Sequence, residues 1–319
     1  MNPAVISSNR RTLAAVAVSV LAGALLFLQP AAQGTGAPTA LFWLATVALS
    51  AGVMWTIQRV AAIQGTRFDG VLTAGLFGLW LLYFWQLLVV AFEVPRVLLP
   101  APVLIFQSLL ENGAKLWGDF EQTVLKAVLI GWVVGSGSGF AVAIAVDRLP
   151  FLQRGLLPLA SLTSTVPLVA VAPIAVMWFG FEWPSKAAVA VLMTFFPMLV
   201  STLAGLKASG KLERELMHSY AASYGRTLWL LRLPSAMPFI FGALKVNASL
   251  ALIGAIVAEF FGSPTVGLGF RISTEASRMN MSLVWGAIVV ASVTGSVAYA
   301  LLARLERRVA FWHPSIRGK

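Results

Sequence analysis

Residues 215–234 have the sequence ELMHSYAASYGRTLWLLRLP and separate two long apolar stretches. This segment is charged and rich in helix-forming residues, and Pro234 at its end suits the first turn of a following helix. We therefore predict a short helix over 211–223, a turn, and a second short helix over 226–231 that leads into an apolar helix. Such an elbow would be rigidly joined to the apolar helices on both sides of it.

One side of the first short helix is apolar. Leu212, Leu216 and Tyr220 recur every four residues, so they lie along one face, whereas Glu213 and Glu215 leave another side polar. From these residues alone, two interpretations fit. The apolar face contacts a partner protein, or the segment is a basic amphipathic loop that lies on a membrane surface.

The composition is that of an integral membrane protein. Of the 319 residues, 59% are hydrophobic and only 11% are charged, and the mean hydropathy is +0.85. A soluble chain of this length needs a far more polar surface. A bilayer-spanning helix takes about 20 residues, and we predict such spans at 12–28, 40–57, 70–92, 123–146, 156–179, 187–206, 239–261 and 282–302. The sequence therefore predicts an all-α, polytopic membrane protein.

The first apolar stretch has a second interpretation. Arg10 and Arg11 precede it, and Ala31 and Ala32 follow it, which is also the pattern of a cleaved secretory signal peptide. We prefer a retained span, because the next span follows closely and requires a start on the inner side.

The positive charges are distributed unevenly between the two sides of the membrane. With a cytoplasmic N-terminus, the predicted inner segments hold sixteen of the 23 lysine and arginine residues, and five lie outside: Arg96, Lys115, Lys186, Arg271 and Arg278. Cytoplasmic loops carry the excess of cations, so we expect 215–234 and both termini in the cytoplasm. Anionic lipid headgroups then account for the net charge of +11, and no nucleic acid is required.

The composition and motifs also exclude several kinds of site. The chain has no cysteine, so disulfides and thiolate metal sites are excluded. Its two histidines, His218 and His313, are far apart in the sequence, so we expect no histidine metal cluster. Neither a GxxxxGK[ST] phosphate loop nor a nucleophile elbow or HExxH helix occurs. We expect no resident cofactor and no enzyme activity.

The elbow segment resembles the cytoplasmic signature loop of binding-protein-dependent ABC importer permeases, written E-A-A-x3-G-x9-I-x-L-P. The positions that match in register are Glu215, Leu231 (in place of isoleucine), Leu233 and Pro234. Leu216 and Met217 replace the two alanines, and Ala221 replaces the glycine that permits the turn in the family. Either Ala221 forms the turn with a helical backbone, or the bend moves to Gly225.

The resemblance covers residues 70 to about 308 and implies the fold of a type I ABC importer transmembrane subunit, with about six core helices and two extra N-terminal helices. It implies three protein partners: a cytoplasmic ABC ATPase subunit, a periplasmic solute-binding protein, and a second permease copy, identical or paralogous. It places the chain in a bacterial inner membrane. The residues expected to couple to the ATPase are Glu215, Leu216, Tyr220, Ala221, Ala222, Gly225, Leu231, Leu233 and Pro234.

Four regions follow from this comparison. Residues 1–69 form the extra N-terminal pair and its linker, and 70–118 form the first core span with an outer turn and an interfacial helix. The core permease domain is 119–308 and contains the coupling loop at 207–238, and 309–319 is a basic cytoplasmic tail.

Prolines and hydroxyls interrupt the fifth predicted span. Each internal proline frees a backbone carbonyl, which lipid tolerates only where other helices or water satisfy it, so this span should face the protein interior. The run 166–180 also resembles permeases of the nitrate, sulfonate, taurine and thiamine-precursor group. We assign part of the solute path to this span, with a kinked packing helix as the alternative; its candidate residues are Thr163, Thr165, Pro167, Pro173 and Trp178.

Glu259 is the only acidic residue inside a predicted span. It lies at the start of residues 259–270, which look like the family's E-F doublet and G-L-G-aromatic turn. We include Glu259 among the candidate path residues, and we favour a structural role, such as pairing with Arg271 or Arg278, over contact with the solute.

Two further patterns concern the spans. Gly131, Gly135 and Gly139 recur every four residues and predict close helix packing rather than contact with the solute. Lys245 and Asn247 lie near the cytoplasmic end of their span and are expected to extend toward the interface.

The predicted function is the transmembrane permease subunit of an ATP-driven importer. The alternative is an ion-gradient-driven secondary transporter or channel, which would need ionisable residues at mid-membrane and often has inverted repeats. The predicted spans are nearly devoid of charge, and no repeat is visible. The resemblance suggests a small polar or heterocyclic solute, such as nitrate, a sulfonate, taurine, or a pyrimidine-like or riboflavin-like compound, and we lean toward a neutral nitrogenous one.

Overall fold

The structure is a computed structural model that describes residue 23 and residues 40–62, 69–149, 151–152, 155, 168–262 and 265–313. These residues are almost entirely helical and include no strand, which confirms the predicted all-α class. Within them, five helices are long and apolar enough to cross a membrane. Apart from residue 23, the first predicted span and the alternative signal peptide lie outside the described residues, as do residues 156–167 of the fifth span.

The chain divides into two compact units, 1–110 and 111–319. The first unit contains the helices α1 (Ala40–Ala62), α2 (Asp69–Ala91) and most of α3 (Pro102–Glu111). Helices α1 and α2 pack together through Leu87 and Ala91 of α2, with Trp43 of α1 against them. The proline-rich turn before α3 is followed by the helix that the sequence predicted, and the backbone N–H of Val103 donates to Gln86 Oε1 at 3.0 Å.

In the described part of the second unit, four long apolar helices and three shorter ones have defined bounds. They are α4 (Gly113–Arg148), α5 (Leu168–Phe179), α6 (Trp183–Lys207), α7 (Lys211–Ser219), α8 (Tyr224–Phe261), α9 (Leu268–Ser277) and α10 (Met281–Val309). Helix α4 includes a π-helical segment at Glu121–Val128, and α8 includes one at Leu228–Arg232. Both helices begin well before the spans predicted at 123 and 239, because polar first turns extend them beyond the apolar core.

Helix α6 is central to this unit, and it packs along both α4 and α8. Three glycines of α4 bring its backbone close to α6. A Cβ at Gly135 would lie 2.0 Å from Thr194 Oγ1, and one at Gly139 would lie 2.4 Å from the Phe195 carbonyl oxygen. Gly131 meets Ala190 in the same way. The predicted packing role of the three glycines is therefore confirmed.

A buried amide links the three central helices. Asn247 of α8 is fully buried and donates to Ser136 Oγ of α4 at 2.9 Å and to the Thr194 carbonyl of α6 at 2.8 Å. Lys245 forms an ion pair with Glu306 of α10 at 2.7 Å. The expectation that Asn247 extends to the interface was wrong, because its side chain is fully buried and bonded inside the protein.

Candidate functional site

The elbow, which we define as residues 211–234, consists of α7, a short turn and the first turns of α8. The predicted separate helix over 226–231 does not exist, because α8 continues without a break from Tyr224 through the π-helical segment. The N–H of Leu233 donates to the carbonyl of Leu228, five residues earlier. We infer that this wider turn accommodates Pro234, whose ring would crowd a carbonyl in a regular α-helix.

The turn of the elbow is formed at Ala221. Its φ is +50°, and its N–H donates to the carbonyl of His218, while the N–H of Ala222 donates to the carbonyl of Met217. These two bonds define a Schellman cap, which requires a left-handed residue just after the helix. The first sequence-based alternative had the right residue, because the turn lies at Ala221, but its helical backbone was wrong, since Ala221 is left-handed. The second alternative was wrong, because Gly225 lies inside α8.

The apolar stripe of α7 is open to the surroundings. Leu212, Leu216 and Tyr220 are 78%, 55% and 73% exposed. Glu215 lies on the same exposed helix and pairs loosely with Lys211 at 3.7 Å. No described residue of the chain buries this stripe, so α7 has an exposed apolar surface that a partner could bind.

The nine candidate coupling residues differ in exposure. Glu215, Leu216, Tyr220, Ala221 and Gly225 are exposed, whereas Ala222, Leu231 and Pro234 are half-buried. Leu233 is buried in a cluster with Leu206 and Ile240. The first half of the elbow is therefore a surface, and its second half is an anchor in the helical core.

A buried ion pair fastens the anchor. Arg232 Nη1 and Nη2 donate to Asp147 Oδ2 and Oδ1 at 2.6 and 2.7 Å, and Arg232 Nε donates to the Leu206 carbonyl at 3.1 Å. Tyr224 Oη also donates to Asp147 Oδ2 at 2.9 Å. The sequence analysis missed this group; the available signal was an acid, Asp147, at the cation-rich end of an apolar helix.

A second polar group lies at the other end of α8 from the elbow. We call it the carboxylate knot, and it consists of Asp119, Thr123, Glu259 and Arg271 with the backbone of 267–269. Glu259 is buried and accepts hydrogen bonds from Thr123 Oγ1 at 2.7 Å and from the Gly269 N–H at 2.6 Å. A Cβ at Gly267, whose φ is +144°, would lie 2.7 Å from the Glu259 carboxylate, so this turn requires glycine.

The second acid of the knot holds the arginine. Asp119 is fully buried, accepts from the Gly267 N–H at 2.8 Å and pairs with Arg271 Nε at 2.7 Å. The hydrogen bond to Asp119 raises the pKa of Arg271 above its ordinary value. The expected pairing of Glu259 with Arg271 or Arg278 was wrong, because Asp119 takes Arg271 and Glu275 takes Arg278.

These contacts bear on the candidate path residues. Both carboxylate oxygens of Glu259 are engaged within the knot, which favours a structural role over contact with a solute. Thr163, Thr165 and Pro167 lie outside the described residues. Pro173 lies in α5, where Ala172 packs with Val189 of α6 and Ala258 of α8. Trp178, near the end of α5, is 77% exposed.

Comparison with known proteins identifies the family. Residues 135–311, which include the elbow and most of the core, match the family described as binding-protein-dependent transport system inner membrane component. The chain belongs to this family. It is therefore a multi-pass inner-membrane transport permease and not an enzyme.

Individual permeases from several organisms match over most of their length. The formylaminopyrimidine transport permease ThiX of Halalkalibacterium halodurans is 30% identical over 74% of this chain and 94% of its own length. The riboflavin transport permease RibX of Chloroflexus aurantiacus is 30% identical over 74% and 88%. The taurine transport permease TauC of Escherichia coli is 26% identical over 74% and 88%.

Proposed function

We propose that the permease couples to a separate ABC ATPase through the elbow, and that ATP-driven movement of the elbow switches the solute path between its inward-open and outward-open states. The observation that carries this proposal is the exposed apolar stripe Leu212, Leu216 and Tyr220. Binding of a partner would remove these apolar side chains from water, which lowers the free energy. The resemblance of 215–234 to the signature loop supports an ABC ATPase as the protein that covers this surface.

The other partners follow from the family to which the chain belongs. A periplasmic solute-binding protein would deliver the solute to the side that carries the carboxylate knot, and a second permease copy would complete the path. The cation distribution supports a cytoplasmic elbow and cytoplasmic termini. The four sequence regions, 1–69, 70–118, 119–308 and 309–319, remain part of this proposal.

The proposed solute is a small, neutral, nitrogen-containing heterocycle. Two of the relatives reported above at 30% identity are named for a formylaminopyrimidine and for riboflavin, and the taurine permease is less similar. The buried cations support this choice. Arg232, Lys245 and Arg271 are each paired with a carboxylate, and Lys186 donates to the Phe181 carbonyl, so each is already engaged.

Assembly with the ATPase tests the elbow surface. The triple variant Leu212→Ser/Leu216→Ser/Tyr220→Ser should reduce co-purification of the ATPase by about tenfold or more, because interfaces depend on a few buried apolar anchors. The matched control is Arg214→Ser/His218→Ser, which changes the opposite face of α7 and should co-purify normally. If the triple variant assembles like the unaltered permease, the elbow is not the ATPase contact.

Transport energetics separate the importer from the alternative, an ion-gradient-driven transporter. The complete complex in proteoliposomes should import solute after protonophore and sodium ionophore collapse the gradients, and import should stop without ATP. Import that follows the gradients and ignores ATP would establish the secondary transporter instead. Competition between a formylaminopyrimidine and taurine for uptake in the same vesicles tests the solute class.

The orientation can be measured on this chain directly, because it contains no cysteine. A Tyr220→Cys variant should react with a membrane-impermeant maleimide only in inverted vesicles. An Arg278→Cys variant, 68% exposed at the side chain, should react only from the outside of intact spheroplasts. The reverse labelling pattern would contradict a cytoplasmic elbow.

A further inference from the structure

The Arg232–Asp147 pair joins the ends of three helices at one point. Arg232 lies in the first turns of α8. Asp147 is the penultimate residue of α4, and Leu206 is the penultimate residue of α6. One guanidinium group binds both of the other helices. Its acceptors are a carboxylate and one of the carbonyls that the end of α6 leaves without an intrahelical partner.

The geometry of the pair resists rotation as well as separation. Two parallel N–H···O bonds of 2.6 and 2.7 Å fix the plane of the guanidinium against that of the carboxylate. The side chains are only 13% and 7% exposed, so water screens the interaction weakly. Tyr224, at the start of α8, attaches to the same carboxylate, and the Arg148 guanidinium lies 5.7 Å from the centre of its ring.

The backbone at this point differs from the rest of α8. Arg232 is the last residue of the π-helical segment Leu228–Arg232, and short π-helical segments in helices are frequent at functional sites. The exposed surface of the elbow precedes this segment, and the membrane span follows it. The ion pair therefore lies where a displacement of the elbow enters the helical core.

We propose that Arg232 and Asp147 are the positioning pair that passes movement of the elbow to α4 and α6. This inference rests on the proposed function, in which an ATPase moves the elbow. With the pair intact, α8 carries the ends of α4 and α6 with it. Without the pair, the elbow moves and those two helices lag behind, so ATP is hydrolysed with little transport.

The test measures solute transported per ATP hydrolysed by the assembled complex in proteoliposomes. Asp147→Asn and Arg232→Gln should each lower this ratio by about tenfold, within the usual range of coupling between sites, while ATPase co-purification is unchanged. Because the two residues act as a unit, the double variant should lower the ratio no further. The matched control is Glu306→Gln, which breaks the Lys245–Glu306 pair, equally short and similarly buried but remote from the elbow; its ratio should stay normal.

A second measurement needs no change to the pair. Spin labels at His218→Cys, on the face of α7 opposite the apolar stripe, and at Ala145→Cys report the distance between the elbow and the end of α4; both positions are exposed, and the chain has no native cysteine. That distance should stay constant when ATP binds, because the two segments move together, and it should change once Asp147→Asn is added.

Three results overturn the inference while leaving the proposed function intact: a normal transport ratio in assembled Asp147→Asn complexes, an equal loss in Glu306→Gln, or an ATP-dependent change of the 145–218 distance in the presence of the pair. Failure of the proposed function is seen separately, as normal ATPase co-purification by the triple variant of the α7 stripe.

Discussion

The two ends of unit 111–319 are built in opposite ways. At the carboxylate knot, Asp119 and Glu259 are buried, and between them they accept hydrogen bonds from Thr123, Arg271 and the backbone N–H groups of Gly267 and Gly269. At the elbow, α7 contains no buried residue. Buried charges are costly to leave unpaired, so the knot is a fixed structure, whereas the elbow has an open surface. The difference indicates that the knot stabilises the fold of its own unit, whereas α7 leaves a surface on which a partner could bind.

The largest effect is expected where the knot is broken. Asp119→Ala leaves the Arg271 guanidinium and the Gly267 N–H without their carboxylate, and removal of one member of a buried pair costs about 3–5 kcal/mol. Thermal unfolding in detergent should show a correspondingly large loss of stability. Glu121→Ala is the control: it removes the neighbouring Lys126 pair, whose side chains are 45% and 47% exposed, and should cost about 0–1 kcal/mol. Equal losses of stability in the two variants would show that the buried knot contributes no more than an exposed ion pair.

The next effect concerns the packing that connects the two ends. Gly135→Ala places a methyl group 2.0 Å from Thr194 Oγ1 and 2.7 Å from the Val191 carbonyl, so α4 and α6 must separate. Overpacking of this kind costs about 1–3 kcal/mol. Gly137→Ala, two residues away with nothing within 4 Å, should leave the free energy of unfolding unchanged or slightly higher. A similar loss from both variants would contradict the close approach of the two helices.

The smallest effect is expected from two substitutions that test where the elbow turns. Ala221→Gly removes the side chain from a left-handed position, so it should stabilise the turn by about 1 kcal/mol. Gly225→Ala should also stabilise, by about 0.5–1 kcal/mol, because Gly225 is in a helix with no atoms near its missing Cβ. Amide exchange across 211–234 measures both. Faster exchange in Gly225→Ala would place the bend at Gly225 instead.

Much of the fold was predictable because long apolar runs and glycine spacing are local signals. The class, the helices of the core and the packing role of Gly131, Gly135 and Gly139 follow from them. The predicted span starting at 123 excluded Asp119, because its boundary was set by hydropathy and the helix extends into polar sequence. Thr123, the side-chain partner of Glu259, was missed for a different reason, since the two residues are 136 positions apart in the sequence.

The exposed stripe of the elbow could be predicted from the sequence, but the ion pair that joins the elbow to the helical core could not. Residues 212, 216 and 220 share a face by helical periodicity alone, and their exposure follows the expected pattern. The pairing of Arg232 with Asp147 depends on how α4 and α8 cross, which no local pattern encodes. The left-handed Ala221 also escaped prediction, because alanine has no preference for that conformation and the cap hydrogen bonds impose it.

The continuity of α8 has a mechanical consequence. At 1.5 Å per residue, its 38 residues form a rod about 57 Å long, which exceeds the hydrocarbon core of about 30 Å. A tilt of about 5° at one end moves the other by about 5 Å, roughly one helical turn. Because α8 runs unbroken from the elbow to Glu259, we expect a small displacement of the elbow to reach Glu259 and its neighbours at the other end of the helix.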